Sequence, residues 1–313
     1  MKIVLLESLK ISPEKLEELV RPFLQAGHTF CAYERSSEAE QVQQAKDADV
    51  IIIGNMPLKE DVLSQCFSLK MIDVGFTGLD HVDLDYARKN GITVCNAAGY
   101  STSTVAELVV GNAISLMRHV RENEERCRGG QVALPSLGIE IGGKAVGIVG
   151  FGAIGSYTAK LFHAFGCRIL AYMPHSKEVP DYVESVSLEE LLRESDIVSL
   201  HCPFTPATAK LIGAKELASM KSTAILVNAA RGGVVDTEAL SAALNRGQIG
   251  GAVVDVFDKE PPLEEGHPLM STPNTLLTPH IAYASEQSMI RRADIVFENL
   301  RAWLDGKSQN VKA

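Results

Sequence analysis

Residues 150–155 read Gly150-Phe151-Gly152-Ala153-Ile154-Gly155, a GxGxxG string. Glycines at that spacing can hold phosphate when they follow a strand and open a helix. The first permits a tight turn, the second lets backbone approach a pyrophosphate, and the third lets helix and strand pack closely. The helix start adds free N–H groups and a partial positive charge. Here the apolar run Ala145–Val149 precedes the string, and a helical pattern from Ala153 to Phe165 follows it. Without that context it would read as an ordinary glycine-rich turn. An acid that holds ribose hydroxyls is expected about twenty residues on. Instead the strand Arg168–Tyr172 runs into Met173-Pro174, and Met173 cannot accept those hydrogen bonds. His175, Ser176 and Lys177 come next. A cation and a hydroxyl suit the extra phosphate of NADP, which a carboxylate would repel; a plain polar turn is the alternative. The expected cofactor is NAD or NADP, with the preference open.

These residues need strands and helices to hold them. Short β-rich runs alternate with helical patterns almost throughout, which marks parallel α/β sheets. The first half reads as strands at 2–6, 29–33, 49–53, 70–74 and 92–95, with helices at 13–26, 38–46, 60–65 and 83–89 between them. Val50-Ile51-Ile52-Ile53 is apolar without a break, as expected of a strand covered on both faces. A long amphipathic helix is expected from Ser103 to Arg121, then a loop with Gly129, Gly130 and Pro135. A second series starts at Lys144, with strands at 145–149, 168–172, 196–200, 224–228, 251–255 and 275–278. The closing stretch, 286–304, is helical and too short to be a domain. The expected fold class is therefore α/β with two Rossmann-like parallel-sheet domains. Residues 1–99 plus 285–313 form a discontinuous, flavodoxin-like substrate domain, and 100–284 an inserted NAD(P)-binding domain. Two chain crossings would leave a hinge and a cleft.

Three later segments add chemistry: Val227-Asn228-Ala229-Ala230-Arg231-Gly232-Gly233-Val234-Val235-Asp236, Val254-Asp255-Val256-Phe257-Asp258-Lys259-Glu260-Pro261, and Thr278-Pro279-His280-Ile281-Ala282. Singly, each polar residue reads blandly. Arg231 would be a loop arginine, Glu260 a solvated turn residue, and His280 a satisfied structural group. Together, and in order after the glycine string, the segments closely resemble the D-isomer-specific 2-hydroxyacid dehydrogenases over essentially the whole chain. The resemblance implies that Arg231 binds the substrate carboxylate and carbonyl oxygen. It makes His280 the acid/base and Glu260 its acidic partner. Thr77 and Gly78, in Val74-Gly75-Phe76-Thr77-Gly78-Leu79-Asp80, match the loop whose amides hold the substrate carboxylate. Ala153, Ile154, Cys202, Ala229 and Asp255 fall at cofactor-contact positions beside Gly150, Gly152, Gly155, His175 and Lys177. Asp255 faces the nicotinamide end, and Thr77, Arg231 and His280 also reach the cofactor.

The implied roles are physically coherent. Hydride addition to a ketone puts negative charge on oxygen, so a proton donor that works near neutrality helps, typically by about 10² to 10⁴-fold. A carboxylate beside an imidazole favours its charged form. An arginine fork matches a carboxylate in shape and fixes the carbonyl for attack. Arg231, Glu260 and His280 each follow an expected strand end, the ligand-binding edge of open α/β sheets.

Composition narrows the rest. The 313 residues carry a net charge of −9, which argues against a nucleic-acid-binding surface. No apolar run reaches the roughly 18 residues of a membrane span. The start reads as a strand rather than a signal peptide. The six cysteines form no CxxC pair and read as reduced thiols of a cytoplasmic protein. His81 and His201 read as structural or cleft-lining residues, and no cluster suggests a metal.

Among family branches, the glutamine of formate enzymes is replaced here by Glu260. The arginine that phosphoglycerate enzymes place after the third strand is missing from Ile53-Gly54-Asn55-Met56-Pro57-Leu58. This segment and Ala98-Gly99-Tyr100-Ser101-Thr102 look like the glycerate/hydroxypyruvate/glyoxylate reductase branch, although that branch usually has proline where Ala98 stands. The expected substrate is a small 2-keto or 2-hydroxy acid with an uncharged side group. The alternatives are a D-3-phosphoglycerate dehydrogenase, which Lys59 or Lys70 would have to rescue, and a non-catalytic NAD(H)-sensing regulator. The resemblance also implies a homodimer formed through 101–135.

Overall fold

The computed structural model describes residues 1–131, 137–175, 178–260 and 263–313. The chain divides into two compact units, Met1–Ser101 with Ala284–Ala313, and Thr102–Tyr283. The first unit begins β1 (Lys2–Leu5), α1 (Pro13–Gln25), β2 (Thr29–Ala32), α2 (Glu38–Ala45), β3 (Val50–Ile53), α3 (Glu60–Leu63), β4 (Met71–Val74), α4 (Leu84–Lys89) and β5 (Thr93–Asn96). The second contains α5 (Thr102–Met117), α6 (Val120–Arg128), β6 (Ala145–Val149), α7 (Ala153–Ala164), β7 (Arg168–Tyr172), β8 (Val183–Ser185) and α8 (Leu188–Glu194). It continues with β9 (Ile197–Leu200), α9 (Ala214–Ser219), β10 (Ile225–Asn228), α10 (Thr237–Asn245), β11 (Gly251–Val254) and β12 (Thr275–Leu277). The chain then returns to the first unit with α11 (Glu286–Leu304).

Both sheets are parallel α/β sheets, as expected. The first runs β2-β1-β3-β4-β5, the flavodoxin-like order. The second runs β12-β11-β10-β9-β6-β7-β8. Numbered within its unit that is 7-6-5-4-1-2-3, the dinucleotide-binding order with one added strand. The order reverses between β6 and β9, the switch point at whose carboxyl ends doubly wound sheets bind ligands.

Local sequence explains the elements. Pro13 sits in the first turn of α1, and Ser12 caps that turn by accepting the Lys15 N–H. Asp236 caps α10 in the same way, accepting from Ala239. The buried strands alternate faces with period two. On β6, Val146 and Ile148 pack into the cluster beside α5, while Val149 belongs to the other cluster, with Leu191 and Leu200. A Cβ on Gly147 would lie 2.3 Å from Leu191, so α8 sits directly on that glycine. On the first unit's sheet, α11 brings Phe297 against Phe23 and Phe30, with ring centroids 5.8 and 6.1 Å apart.

Two expectations need correction. The single helix expected from Ser103 to Arg121 is broken: α5 ends at Met117, and His119 takes a left-handed conformation, φ 50°, before α6 begins. The apolar pattern runs out at Met117, and α6 buries no residue. It is laced instead by ion pairs such as Arg121–Glu125 and Arg126–Glu122. The strand β8 was not anticipated, because only Val183 of its three residues is buried. Pro135 lies outside the described residues.

Candidate active site

Three turns after consecutive strands of the second unit carry the predicted chemistry. Arg231 follows β10 in extended backbone. Asn228 fixes its turn: the Asn228 amide donates to the Arg231 carbonyl at 3.0 Å, and its oxygen accepts the Ala230 N–H at 3.1 Å. Gly232 has no room for a side chain, since a Cβ there would sit 2.0 Å from the Phe257 carbonyl carbon. That contact seats the Arg231 turn on the segment leading from β11 to Glu260. His280 follows β12, and its Nδ1 lies 3.1 Å from Glu260 Oε1. The imidazole is one-quarter exposed and the glutamate nearly half exposed. The structure thus brings Glu260 and His280 together across 20 residues of sequence.

His280 is held under backbone strain, with φ 53°, a region non-glycine residues enter at a free-energy cost. Its N–H donates to the carbonyls of Asp255 at 2.8 Å and Thr278 at 3.0 Å. The Asp255 carboxylate, 1% exposed, fastens the same turn. It accepts the Thr278 hydroxyl at 2.6 Å and the N–H groups of Ile281 and Ala282, each at 2.9 Å. Burial pushes the Asp255 carboxyl up, while those hydrogen bonds pull the other way. Tyr283 meets His280 edge-on, centroids 5.6 Å apart.

The glycine string connects β6 to α7 as its motif requires. Gly150 has φ 95°, and a Cβ there would lie 2.8 Å from Cys202 N, so this turn sits on the end of β9. A Cβ on Gly155 would lie 2.1 Å from the Gly150 carbonyl oxygen. Gly152, in contrast, has nothing within 4 Å of its Cβ position, and no side chain caps α7. Open backbone before an uncapped helix start suits a pyrophosphate. Ala153 begins α7, and Ile154 packs on the core behind it. Cys202 is buried, which pushes its thiol up and away from the reactive thiolate. Ala229 packs against the same apolar cluster as Ile154.

Met173 also packs on that cluster, and His175 is exposed. Lys177 and Ser176 lie outside the described residues. Among the described residues directly after β7, 173–175, none presents a carboxylate, which suits NADP as well as NAD. His201 donates to or accepts from the Ser199 hydroxyl at 2.8 Å, and desolvation pushes the imidazole down to about 4.

Thr77 and Gly78 belong to the first unit, in the loop after β4. Sequence reasoning missed the residue that holds this loop. Asn96, 3% exposed at the end of β5, donates its amide to the Thr77 carbonyl at 2.7 Å. The Asn299 amide of α11 in turn donates to the Asn96 carbonyl at 3.1 Å. Asn96 had no motif signal, because its meaning comes from register alone. Among the described residues, no group of three His, Cys, Asp or Glu could hold a metal, and no helix is long and apolar enough to cross a membrane.

Fold and turns define a dinucleotide-binding α/β protein with a histidine–carboxylate pair. Comparison with known proteins sharpens that class. The family profile described as D-isomer specific 2-hydroxyacid dehydrogenase, NAD binding domain, matches residues 110–282. The chain is 39% identical over 308 residues to a glycerate dehydrogenase of Methylorubrum extorquens, covering 95% of this chain and 96% of the relative. It is 41% identical over 310 residues to a glyoxylate reductase of Aeropyrum pernix, covering 95% and 92%. The crystal structure of the TT0316 protein from Thermus thermophilus superposes with a TM-score of 0.91 at 36% identity, with both chains fully covered. The chain belongs to the D-isomer specific 2-hydroxyacid dehydrogenase family.

Proposed function

We propose that this enzyme reduces a small 2-keto acid, hydroxypyruvate or glyoxylate in class, to the D-2-hydroxy acid with NADH or NADPH. The observation that carries the reading is the His280–Glu260 pair at 3.1 Å, beside the Arg231 turn that Gly232 seats on the Glu260 segment. Bound NAD(P)H supplies the hydride that becomes the new C–H bond. Arg231 binds the keto acid's carboxylate and orients its carbonyl. Glu260 holds a proton on His280 Nδ1, which leaves Nε2 to give its proton to the ketone oxygen as the C=O becomes CH–OH. In the reverse direction Nε2 takes that proton back. Thr77 and Gly78 offer backbone N–H groups to the substrate carboxylate. The glycine turn and the α7 start hold the pyrophosphate, with Ala153, Ile154, Cys202, Ala229 and Asp255 around the remainder of the cofactor.

In this reading the first unit serves the substrate and the second the dinucleotide. The proposal includes a cytoplasmic homodimer. Val120 leaves a large apolar side chain exposed within the stretch assigned to the contact, and Leu137 and Ile139 do so just beyond it; all six cysteines are free, which suits a reducing compartment. The test is the loss of reduced-nicotinamide absorbance, with NADH and NADPH, against hydroxypyruvate, glyoxylate, pyruvate and 3-phosphohydroxypyruvate. Turnover of hydroxypyruvate or glyoxylate is expected. No turnover on any of them, with dinucleotide binding intact, would overturn the reading in favour of a nucleotide sensor.

A further inference from the structure

Glu7 is a carboxylate in an unusual place. It lies two residues past β1, at the carboxyl edge of the first unit's sheet, and is only 8% exposed. Its Oε2 accepts the Met56 N–H at 3.0 Å. A Cβ on Gly54 would stand 2.5 Å from the same oxygen, so the carboxylate rests where that glycine's side chain would be. The pairing Leu5↔Ile52↔Asp73 carries Glu7, Gly54 and Gly75 to matching positions beyond the ends of β1, β3 and β4. Thr77 is two residues further along. With strands about 4.8 Å apart, the Glu7 backbone stands roughly 10 Å across the edge from the line of β4 that leads to Thr77, and its carboxylate, over Gly54 on the line of β3, about half that. A three-carbon acid held at Thr77 and extended by a phosphate or second carboxylate spans much of that distance.

Lys70, Lys59 and Arg35 each already have a partner, so none of them holds out an uncommitted charge to a ligand's second anion. Lys70 pairs with Asp49 at 2.6 Å, and both residues precede their strands, so they sit at the opposite edge of the sheet. Lys59 donates to the Asp80 carbonyl at 3.0 Å. Arg35 reaches this edge, and its Nη1 is 3.4 Å from Glu7 Oε1. Its charge is therefore already engaged by the carboxylate that Met56 fixes in place.

We infer that Glu7 is a specificity residue: its carboxylate, held by Met56 over Gly54, rejects 2-keto acids that carry a second anionic group and admits those with an uncharged side group. This rests on the function proposed above. The test compares kcat/KM for hydroxypyruvate with kcat/KM for 3-phosphohydroxypyruvate within each variant, so any loss of folded protein cancels from the ratio. In the unaltered chain hydroxypyruvate should lead by about tenfold or more. Glu7→Gln keeps an acceptor for Met56 and removes the charge; the lead should shrink by about tenfold. Arg35→Ala leaves the carboxylate unopposed and should widen the lead, which keeps the inference testable if Glu7→Gln does not fold. A lead for the phosphorylated acid in the unaltered chain, or a ratio that neither substitution moves, overturns the inference while the proposed function stands. No turnover of any 2-keto acid overturns both.

Discussion

His280 combines two demands that rarely coincide in one residue. Its ring must meet Glu260, and its backbone sits at φ 53°. The strain persists because Asp255 ties the turn through three hydrogen bonds. On the proposed mechanism, His280→Ala should lower kcat by about 10² or more while the dinucleotide affinity, read by fluorescence titration, stays near its original value. A variant that keeps the full rate would remove His280 from the proton path. Arg231→Ala should act differently and chiefly raise KM for the keto acid, because it removes a binding fork rather than a proton donor. Normal saturation in that variant would sink its assigned role. Arg231, Glu260 and His280 could be assigned roles from sequence because their three segments occur together and in order after the glycine string, although each side chain alone reads blandly. Glu7, Asn96 and Asn228 could not. An asparagine after a strand has many uses, and only its partner's position shows which one applies.

At the scale of elements, the strands were legible to within a residue or two because buried parallel strands are nearly continuous apolar runs. β8 escaped because one buried side chain makes no pattern. The break between α5 and α6 escaped because both segments are helical in character, and only the loss of an apolar stripe separates them. Register, which no single strand's sequence contains, decides how the turns are held. The end of β5 illustrates this, with Asn96 clamping the Thr77 carbonyl at 2.7 Å. Asn96→Ala removes that hydrogen bond, worth about 1 kcal/mol. On the proposed role of Thr77, KM for the keto acid should rise about fivefold. Steady-state kinetics with saturating reduced dinucleotide would show it, and an unchanged KM would mean that the loop holds its shape without the clamp.

At the scale of the whole molecule, the first unit is closed by chain that arrives last. α11 and residues 310–313 both join it: the Lys312 N–H donates to the Val94 carbonyl at 2.8 Å, and the Val94 N–H to the Ala313 carbonyl at 2.9 Å. The Asn310 amide donates to Asn299 Oδ1 at 2.8 Å, and the Asn299 amide to Asp73 Oδ1 at 3.1 Å. Asp73 is fully buried, and that burial pushes its carboxyl up to about 8, opposed by the Asn299 hydrogen bond. In the unfolded chain an aspartate ionises near 4, about its ordinary value. Between those limits the folded state binds the extra proton. The Asp73 contribution to stability is therefore full at pH below about 4 and is lost as pH rises through about 8. Asp73→Asn should flatten this part of the pH dependence, so that urea midpoints at pH 5 and pH 8 differ less than in the unaltered chain. An equal difference in both proteins would show that Asp73 is not the group responsible.

The order in which the two units are written along the chain also matters during synthesis. The second unit is one uninterrupted stretch, Thr102–Tyr283, whereas the first needs Ala284–Ala313. On a ribosome, where domains fold as they emerge at roughly 5–20 residues per second, the second unit has all its strands before the first has α11. Until then Phe23 and Phe30 lack the Phe297 ring they pack against. The unit made first is the unit that finishes last, and until α11 arrives the part of its sheet that α11 packs on stays open to water.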